Sequence, residues 1–141
     1  MCAPMRWWLP PLLWSAVILA ASSDAFSSGS TGGTMRGLLE SLLGGPLSDR
    51  TFEVVQFVIR KLTHLLAYGI LGALTLRAIR RGRAGWDSRW LLAALAFALV
   101  LAIVDETHQS LVPSRTGSPG DVVIDVAGAL VAGLAMRRAA R

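Results

Sequence analysis

The chain has 141 residues, of which 53% are hydrophobic and only 16% are charged. This length fits one domain, and the charged fraction is well below the roughly 25% of soluble domains. Intrinsic disorder is excluded, and a soluble fold of this size has too little interior to bury so much apolar surface. The single cysteine, Cys2, excludes an intramolecular disulfide and a cysteine-based metal cluster. We therefore predict an integral membrane protein.

Four apolar stretches follow one another along the chain. They cover residues 7–21, 52–79, 90–111 and 119–137. Stretches of this kind favour helices that cross the bilayer. We therefore predict an all-α membrane bundle of four transmembrane helices. The first stretch has a basic start and is followed by small residues, so residues 1–25 form either the first transmembrane helix or a signal peptide.

The arginines are distributed unevenly around these stretches. If all four stretches cross the membrane, one side holds nine of the 14 basic residues and one acid, Asp87, for a net charge of +8. The other side holds five basic residues and eight acids, for a net charge of −3. The positive-inside rule then places both termini in the cytoplasm and the 22–51 and 105–118 connections outside. The basic character of the chain thus reflects topology, and we expect no nucleic-acid partner.

The connection after the first stretch is rich in serine and glycine. Its run SSGSTGGT is typical of a linker, so we predict an external loop over residues 26–51. The leucine-rich part, Met35–Leu43, has an alternative as a short amphipathic helix on the membrane surface. Residues 52–138 are predicted to form a membrane domain of three helices.

Ionisable side chains inside the last three stretches lie at a similar depth. Such groups are costly in a membrane and mark functional sites. Counted at 1.5 Å per residue from the cytoplasmic end of each helix, Lys61 lies at about 24 Å, Asp105 at about 22 Å and Asp125 at about 18 Å. The hydrocarbon is about 30 Å thick, so these groups form one layer in the outer leaflet. This polar layer consists of Lys61, His64, Tyr68, Asp105, Glu106, Gln109, Asp121 and Asp125.

Helical spacing turns the members of the polar layer toward one another. Lys61, His64 and Tyr68 are separated by three, four and seven positions and share one helix face. Asp105 and Gln109 are one turn apart, as are Asp121 and Asp125. Lipid does not solvate such groups, so the faces meet each other or an external cavity. Lys61 and His64 are the cations of the layer. We expect them to balance the charges of Asp105 and Asp125.

The connection between the last two predicted helices carries one arginine, Arg115. The sequence SRTGSPG is short and rich in Gly and Pro, so Arg115 has few apolar neighbours. An exposed guanidinium beside backbone N–H groups suits a phosphate or carboxylate. The connection ends at Ser118, an N-cap residue, and the fourth helix is predicted to begin at Pro119.

Three motifs resemble the VanZ-like family. They read KxxHxxxYxxLG from Lys61 to Gly72, DExxQ from Asp105 to Gln109, and PxRxxSxxDxxxDxxG from Pro113 to Gly128. The resemblance covers about residues 52–136 and implies a small four-helix membrane protein, in a family named for a member linked to resistance to teicoplanin. Two positions depart from the family pattern: Ser114 stands where glycine is frequent, and Asp125 where many members have asparagine.

Two hypotheses follow. In the first, an outward-facing site in the cytoplasmic membrane binds or acts on a phosphate-bearing envelope lipid or glycan, and the resemblance adds an effect on glycopeptide susceptibility. The candidate catalytic residues are His64, Asp105 and Asp125, and the candidate substrate-binding residues are Lys61, Tyr68, Glu106, Gln109, Arg115 and Asp121. In the second, the protein is a non-enzymatic membrane partner whose polar layer only holds the helices in register.

Metal binding and transport are less favoured explanations of the polar layer. Its four acids offer oxygen ligands for magnesium or calcium, and His64 and His108 suit zinc. Ion pairing explains the same residues, so we predict no metal ion and no other cofactor. A proton-coupled carrier is disfavoured because four spans are few and no polar group continues below Tyr68. The expected partners are the lipid bilayer and an anionic envelope ligand.

Overall fold

The computed structural model describes residues 5–23, 28–112 and 117–139, with the side chains of these ranges except those of residues 28–31. Five α-helices occupy this part of the chain. They are α1 Met5–Ala21, α2 Ser28–Leu43, α3 Asp49–Arg80, α4 Ser88–Ser110 and α5 Pro119–Ala139. The predicted all-α class is therefore confirmed.

Within the described residues, three helices are long and apolar enough to cross a membrane: α3, α4 and α5. Their outer surfaces expose large hydrophobic side chains such as Leu92, Val100, Val123 and Val131, which lipid can cover. These features indicate a multi-pass membrane protein. The helix α1 has 17 residues and is shorter than these three. A fourth span and the orientation with both termini inside stay predictions.

The helix α3 is the centre of the bundle and packs against α1, α4 and α5. Where α3 crosses α5, the two backbones nearly touch. A Cβ atom added to Gly128 would lie 2.2 Å from the carbonyl oxygen of Leu65, and one added to Gly72 would lie 2.7 Å from the Cα of Ala129. Glycine allows this close approach because it has no side chain. The crossing therefore fixes how far α5 lies from the polar residues of α3.

The buried stripe of α4 changes character along its length. Nearer the N-terminus of α4 the stripe consists of Ala94, Ala98 and Ala102, which are spaced by one turn and at most 2% exposed. The same stripe continues into Asp105 and Gln109, both 1% exposed. Small side chains thus let the helices pack closely next to the polar groups, on the side toward the N-terminus of α4. The polar layer consequently lies at one end of the bundle.

The helix α1 runs alongside α3 in the opposite direction. At its N-terminal end, the Trp7 ring lies beside Gly82 in the arginine-rich connection between α3 and α4. Halfway along, the indole N–H of Trp14 donates a hydrogen bond of 2.8 Å to the carbonyl oxygen of Ala67 on α3. At its C-terminal end, Ser22 contacts the polar layer. Contacts at both ends and in the middle of α1 therefore hold it against the rest of the bundle.

The predicted loop over residues 26–51 is wrong for the part that forms α2, which begins within the Ser/Gly run. The alternative helix over the leucine-rich part is confirmed and extended. Side chains anchor its C-terminal end, because Arg36 contacts Glu40 at 3.1 Å and Asp49 at 2.8 Å, and donates to the Leu47 carbonyl. These contacts supply local order that the composition does not reveal.

The start of α5 agrees with the prediction from its capping chemistry. The helix begins at Pro119, and the Ser118 hydroxyl accepts a hydrogen bond of 3.3 Å from the backbone N–H of Gly120. This boundary places Asp121 in the first helical turn, where the partial positive charge of the helix N-terminus favours an acid. The N-terminus of α5 therefore stabilises the charge of the Asp121 carboxylate, which faces α3.

Candidate functional site

Asp121 is the most strongly paired acid of the polar layer. Its carboxylate contacts Arg60 Nη2 at 2.8 Å through one oxygen and Lys61 Nζ through the other. Asp121 is fully buried, whereas the side chains of Arg60 and Lys61 are 28% and 22% exposed. Both cations come from α3, so the cluster joins α3 to α5. The two positive charges exceed the single negative charge of this carboxylate.

A second pair joins the same two helices one turn deeper. His64 Nδ1 lies 3.0 Å from Asp125 Oδ1. The Asp125 side chain is fully buried and that of His64 is 12% exposed. We expected Lys61 and His64 to balance Asp105 and Asp125, and the contact of His64 with Asp125 agrees with that expectation.

Asp105 has different partners from those predicted. We expected a cation of α3 to balance it, and this expectation is wrong. Its carboxylate instead accepts hydrogen bonds from the hydroxyl groups of Ser22 and Tyr68, the latter at 3.4 Å, and from Gln109 Nε2 at 3.2 Å. The reason is the direction of Lys61 and His64, which α3 turns toward α5. The acid on α4 therefore meets neutral donors from α1, α3 and α4.

Glu106 links α4 to the beginning of α5. Its Oε2 atom accepts a hydrogen bond of 2.6 Å from the backbone N–H of Ser118. The chain returns very close to this residue, since a Cβ atom added to Gly117 would lie 2.6 Å from the Glu106 carbonyl oxygen. The other carboxylate oxygen, Oε1, is buried and has no hydrogen-bond partner among the described residues.

A cavity of about 380 Å³ opens beside these groups, between α1, α2, α3 and α4. The polar residues of its wall are Ser22, Gln56, Arg60, Thr63, His64, Tyr68, Asp105 and Gln109. The rest of the wall includes Ile18, Ile59 and Ala67, which are apolar. The volume lies in the range of small-ligand sites, and the mixed wall suits a ligand with one charged and one apolar part. Two of the candidate catalytic residues, His64 and Asp105, therefore reach the cavity.

The structure brings together most of the residues that the sequence singles out. Eight of the nine candidate site residues lie in the polar layer, and the ninth, Arg115, lies outside the described residues. His108 is exposed near the end of α4, as expected of a solvated residue. The sequence did not lead us to two further residues that contact the polar layer: Ser22, which contacts Asp105, and Arg60, which contacts Asp121. Arg60 offered a signal, because it is a charge within an apolar stretch, whereas Ser22 meets its partner 83 positions away and offered none.

Fold and site together define a class: an α-helical multi-pass membrane protein with a buried ionic layer at one end of its bundle. The family model described as VanZ/LLP1 matches residues 7–139, nearly the whole chain. The chain belongs to this family, so the resemblance seen in the three motifs is confirmed. The match also includes α1 and α2, which precede the motifs. No curated protein and no solved structure matches the chain.

Proposed function

We propose that this protein crosses the cytoplasmic membrane four times, with both termini inside. We further propose that its cavity binds a phosphate-bearing lipid or glycan of the cell envelope from the outer side. The observation that carries the binding proposal is the cavity itself, because it unites a guanidinium, an imidazole and a phenol with an apolar wall. A headgroup and the first part of a lipid chain need these two surroundings side by side.

Each side of the cavity has a distinct role in this proposal. Arg60 is the cation on the wall, and guanidinium binds phosphate through two parallel N–H donors. The Tyr68 hydroxyl and the Gln109 amide line the same wall, where both donate to Asp105. Arg115 contributes a second guanidinium, because the sequence places it in the short Gly- and Pro-rich connection before α5. Ile18 and Ile59 provide the surface for an apolar chain.

The same arrangement offers one group for proton transfer. His64 lines the cavity, and Asp125 contacts its ring from the side of α5. A carboxylate behind a histidine fixes the orientation of the ring, which is a common arrangement for a general acid or base. In this proposal His64 is the catalytic candidate and Asp125 a positioning residue, while Asp105 holds Tyr68 and Gln109 in place.

Lipid analysis of the purified protein tests the proposal. Thr63 is exposed and lines the cavity, so Thr63→Trp should block it with little effect on folding. Leu62→Trp is the matched control, because the neighbouring Leu62 is 51% exposed and does not line the cavity. We expect mass spectrometry to detect an anionic lipid or glycan with the wild type and with Leu62→Trp. Its loss from Thr63→Trp is expected, whereas its retention there, or its absence from the wild type, refutes the proposal.

Arg115 is tested separately from the cavity. Arg115→Lys keeps the charge but removes the two-pronged geometry of guanidinium, so we expect it to fold normally and to lose most of the bound ligand. Arg50→Lys is the control, since Arg50 is an exposed arginine near the start of α3. Because the family namesake is linked to teicoplanin resistance, we also propose that the wild type changes glycopeptide susceptibility. If Arg115→Lys keeps full ligand binding, guanidinium-specific recognition is wrong.

The second candidate function is a non-enzymatic partner protein whose polar layer sets helix register. The observation that favours it is that the charged pairs run between helices, with Asp121 and Asp125 on α5 facing cations of α3. Buried polar pairs can select one register in a helical bundle. A wild type without a stoichiometric bound ligand, together with Thr63→Trp behaving like the wild type, would favour this function.

A further inference from the structure

Four side chains from three helices converge in the interior of the polar layer. His64 on α3, Asp105 and Glu106 on α4, and Asp125 on α5 each bring one potential ligand atom within 4.8 Å of the others. Four ligands bonded at 2.0–2.2 Å in a tetrahedral arrangement lie roughly 3.3–3.6 Å apart. The ligand atoms of the cluster would therefore have to move closer to one another by up to about 1.5 Å to surround a metal ion. The sequence did not predict this convergence, because the spacing within each helix shows no dedicated ligand pattern.

Two carboxylate oxygens in the cluster lack partners among the described residues. They are Oε1 of Glu106 and Oδ2 of Asp125. Glu106 is 7% exposed and Asp125 is fully buried, and each carboxylate uses its other oxygen in a hydrogen bond. A buried polar atom without a partner is destabilising, and for a carboxylate the cost is larger than for a neutral group. These two oxygens point to a missing positive partner.

The charge balance of the layer leads to the same conclusion. It contains four acids and, besides His64, two cations, Arg60 and Lys61. Both cations contact Asp121, so the remaining acids, Asp105, Glu106 and Asp125, have no lysine or arginine partner among the described residues. With all four acids ionised and His64 neutral, the layer has a net charge of −2. One divalent cation would cancel that charge.

We propose that His64, Asp105, Glu106 and Asp125 bind one divalent transition-metal ion. One imidazole and three carboxylates form a mixed donor set, which suits Zn²⁺ and Mn²⁺ better than Mg²⁺ or Ca²⁺, whose sites use oxygen alone. In the metal-bound form the ion would take the place of the proton between His64 Nδ1 and the Asp125 carboxylate. Asp121 is not a proposed ligand, because its carboxylate is already paired with Arg60 and Lys61. The proposal stands without the lipid ligand, since it rests on these side chains alone. In the metal-bound form His64 is a ligand, so the proton-transfer role proposed for it belongs to the metal-free form.

Metal analysis of the full chain tests the proposal. The protein is purified in detergent without a polyhistidine tag, stripped with EDTA, incubated with Zn²⁺, Mn²⁺ or Mg²⁺, and freed of unbound metal by gel filtration. We expect about one Zn²⁺ or Mn²⁺ per chain and little Mg²⁺. Loss of a ligand should weaken binding by more than the roughly 10–100-fold that changes in the outer-shell partners of metal ligands cost. A wild type that stays folded but binds no metal refutes the proposal.

The variants separate a built site from surface binding. Glu106→Gln and Asp125→Asn keep the size of the side chain and should lose the metal. Glu53→Gln and His108→Ala change exposed residues on α3 and α4 and should retain it. Retention by the first two variants, or loss with either control, means adventitious binding and overturns the proposal. Should a variant fold poorly, the wild type still decides, because Zn²⁺ or Mn²⁺ must raise its unfolding temperature.

The outcome is distinguishable from that of the lipid experiment. Metal content is measured in detergent, and the bound ligand is measured by mass spectrometry on both stripped and metal-loaded protein. A chain that binds metal but retains no ligand in either form defeats only the lipid proposal. A chain that retains its ligand but binds no metal defeats only the metal proposal.

Discussion

The close crossing of α3 and α5 gives the sharpest test of the fold, through Gly128→Ala. The added methyl carbon would lie 2.2 Å from the carbonyl oxygen of Leu65 and 3.2 Å from the backbone nitrogen of Gly69. Backbone atoms do not rotate away as side chains do, so the helices must separate. An ordinary contact begins near 3.4 Å, so the separation at this point is about 1.2 Å.

The consequence for stability follows from what that separation breaks. Overpacking of this kind costs about 1–3 kcal/mol. A shift of about 1 Å also stretches the 3.0 Å contact of His64 with Asp125 beyond hydrogen-bond distance, and a hydrogen bond to a charged group contributes about 1.5–3 kcal/mol. The higher helix propensity of alanine offsets about 0.5–1 kcal/mol. We therefore expect Gly128→Ala to destabilise the protein by roughly 2–5 kcal/mol.

The matched control lies on the other side of the same crossing. A Cβ atom on Gly69 would lie 3.4 Å from the Gly128 carbonyl oxygen, an ordinary contact. Gly69→Ala should therefore be neutral or slightly stabilising. Thermal unfolding in detergent, followed by circular dichroism, measures both variants. If Gly128→Ala unfolds at the same temperature as Gly69→Ala, the helices do not approach each other as described and the reasoning is refuted.

Four further predictions concern other parts of the chain. Asp121→Ala leaves two partly buried cations of α3 unbalanced and should cost about 3 kcal/mol, the lower end for a broken buried ion pair, measured as a lower unfolding temperature. Reporter fusions within residues 81–87 should be cytoplasmic; an external signal contradicts the topology. The Leu47 N–H and the Arg36 guanidinium hold the pKa of Glu40 below its ordinary value of 4.5. The stabilisation is therefore present above that value and lost as pH falls through the lowered pKa, so proteolysis of α2 should increase there, and less so in Glu40→Gln. The intact chain should have a mass of 15.0 kDa, whereas a smaller mature product means that α1 is cleaved.

The three long helices were predictable because their signals are local. Apolar length sets α3, α4 and α5, and the capping residues Ser118 and Pro119 set the start of the last one. The helix α2 was only partly predictable. Its glycines and serines have low helix propensity, and the contacts that anchor it, such as that of Arg36 with Asp49, join residues on two different elements.

The members of the polar layer were also predictable, but their pairing was not. Helical spacing identifies which residues share a face, since it depends only on the geometry of one helix. Pairing depends on how each helix is rotated toward its neighbours. That rotation directs Lys61 and His64 to α5 rather than α4. Asp105 therefore accepts hydrogen bonds from Ser22 and Tyr68 instead of pairing with a cation.

The contacts of α1 bear on whether it remains in the mature protein. Ser22 supplies one of the hydrogen bonds to the buried Asp105, and the Trp14 indole is held by the Ala67 carbonyl. Without α1, the wall of the cavity formed by Ile18 would be missing as well. A signal peptide needs none of these contacts. These contacts make α1 part of the described helical bundle, and the family match includes it from residue 7 onward. Whether residues 1–25 are a transmembrane helix or a signal peptide stays a prediction.

The charge of the polar layer decides how an anionic ligand and a metal ion relate to each other. With its four acids ionised and His64 neutral, the described layer carries a net charge of −2, and both of its fixed cations contact Asp121. A phosphate approaching His64 would meet Asp105 and Asp125 at short range, where a partly buried environment strengthens repulsion. A divalent ion among these acids removes that repulsion and adds a positive centre beside the cavity. The anion-binding proposal is therefore physically strongest when the metal site is filled, and an anion that binds the metal-free protein as tightly would have to be held by Arg60 and Arg115 alone.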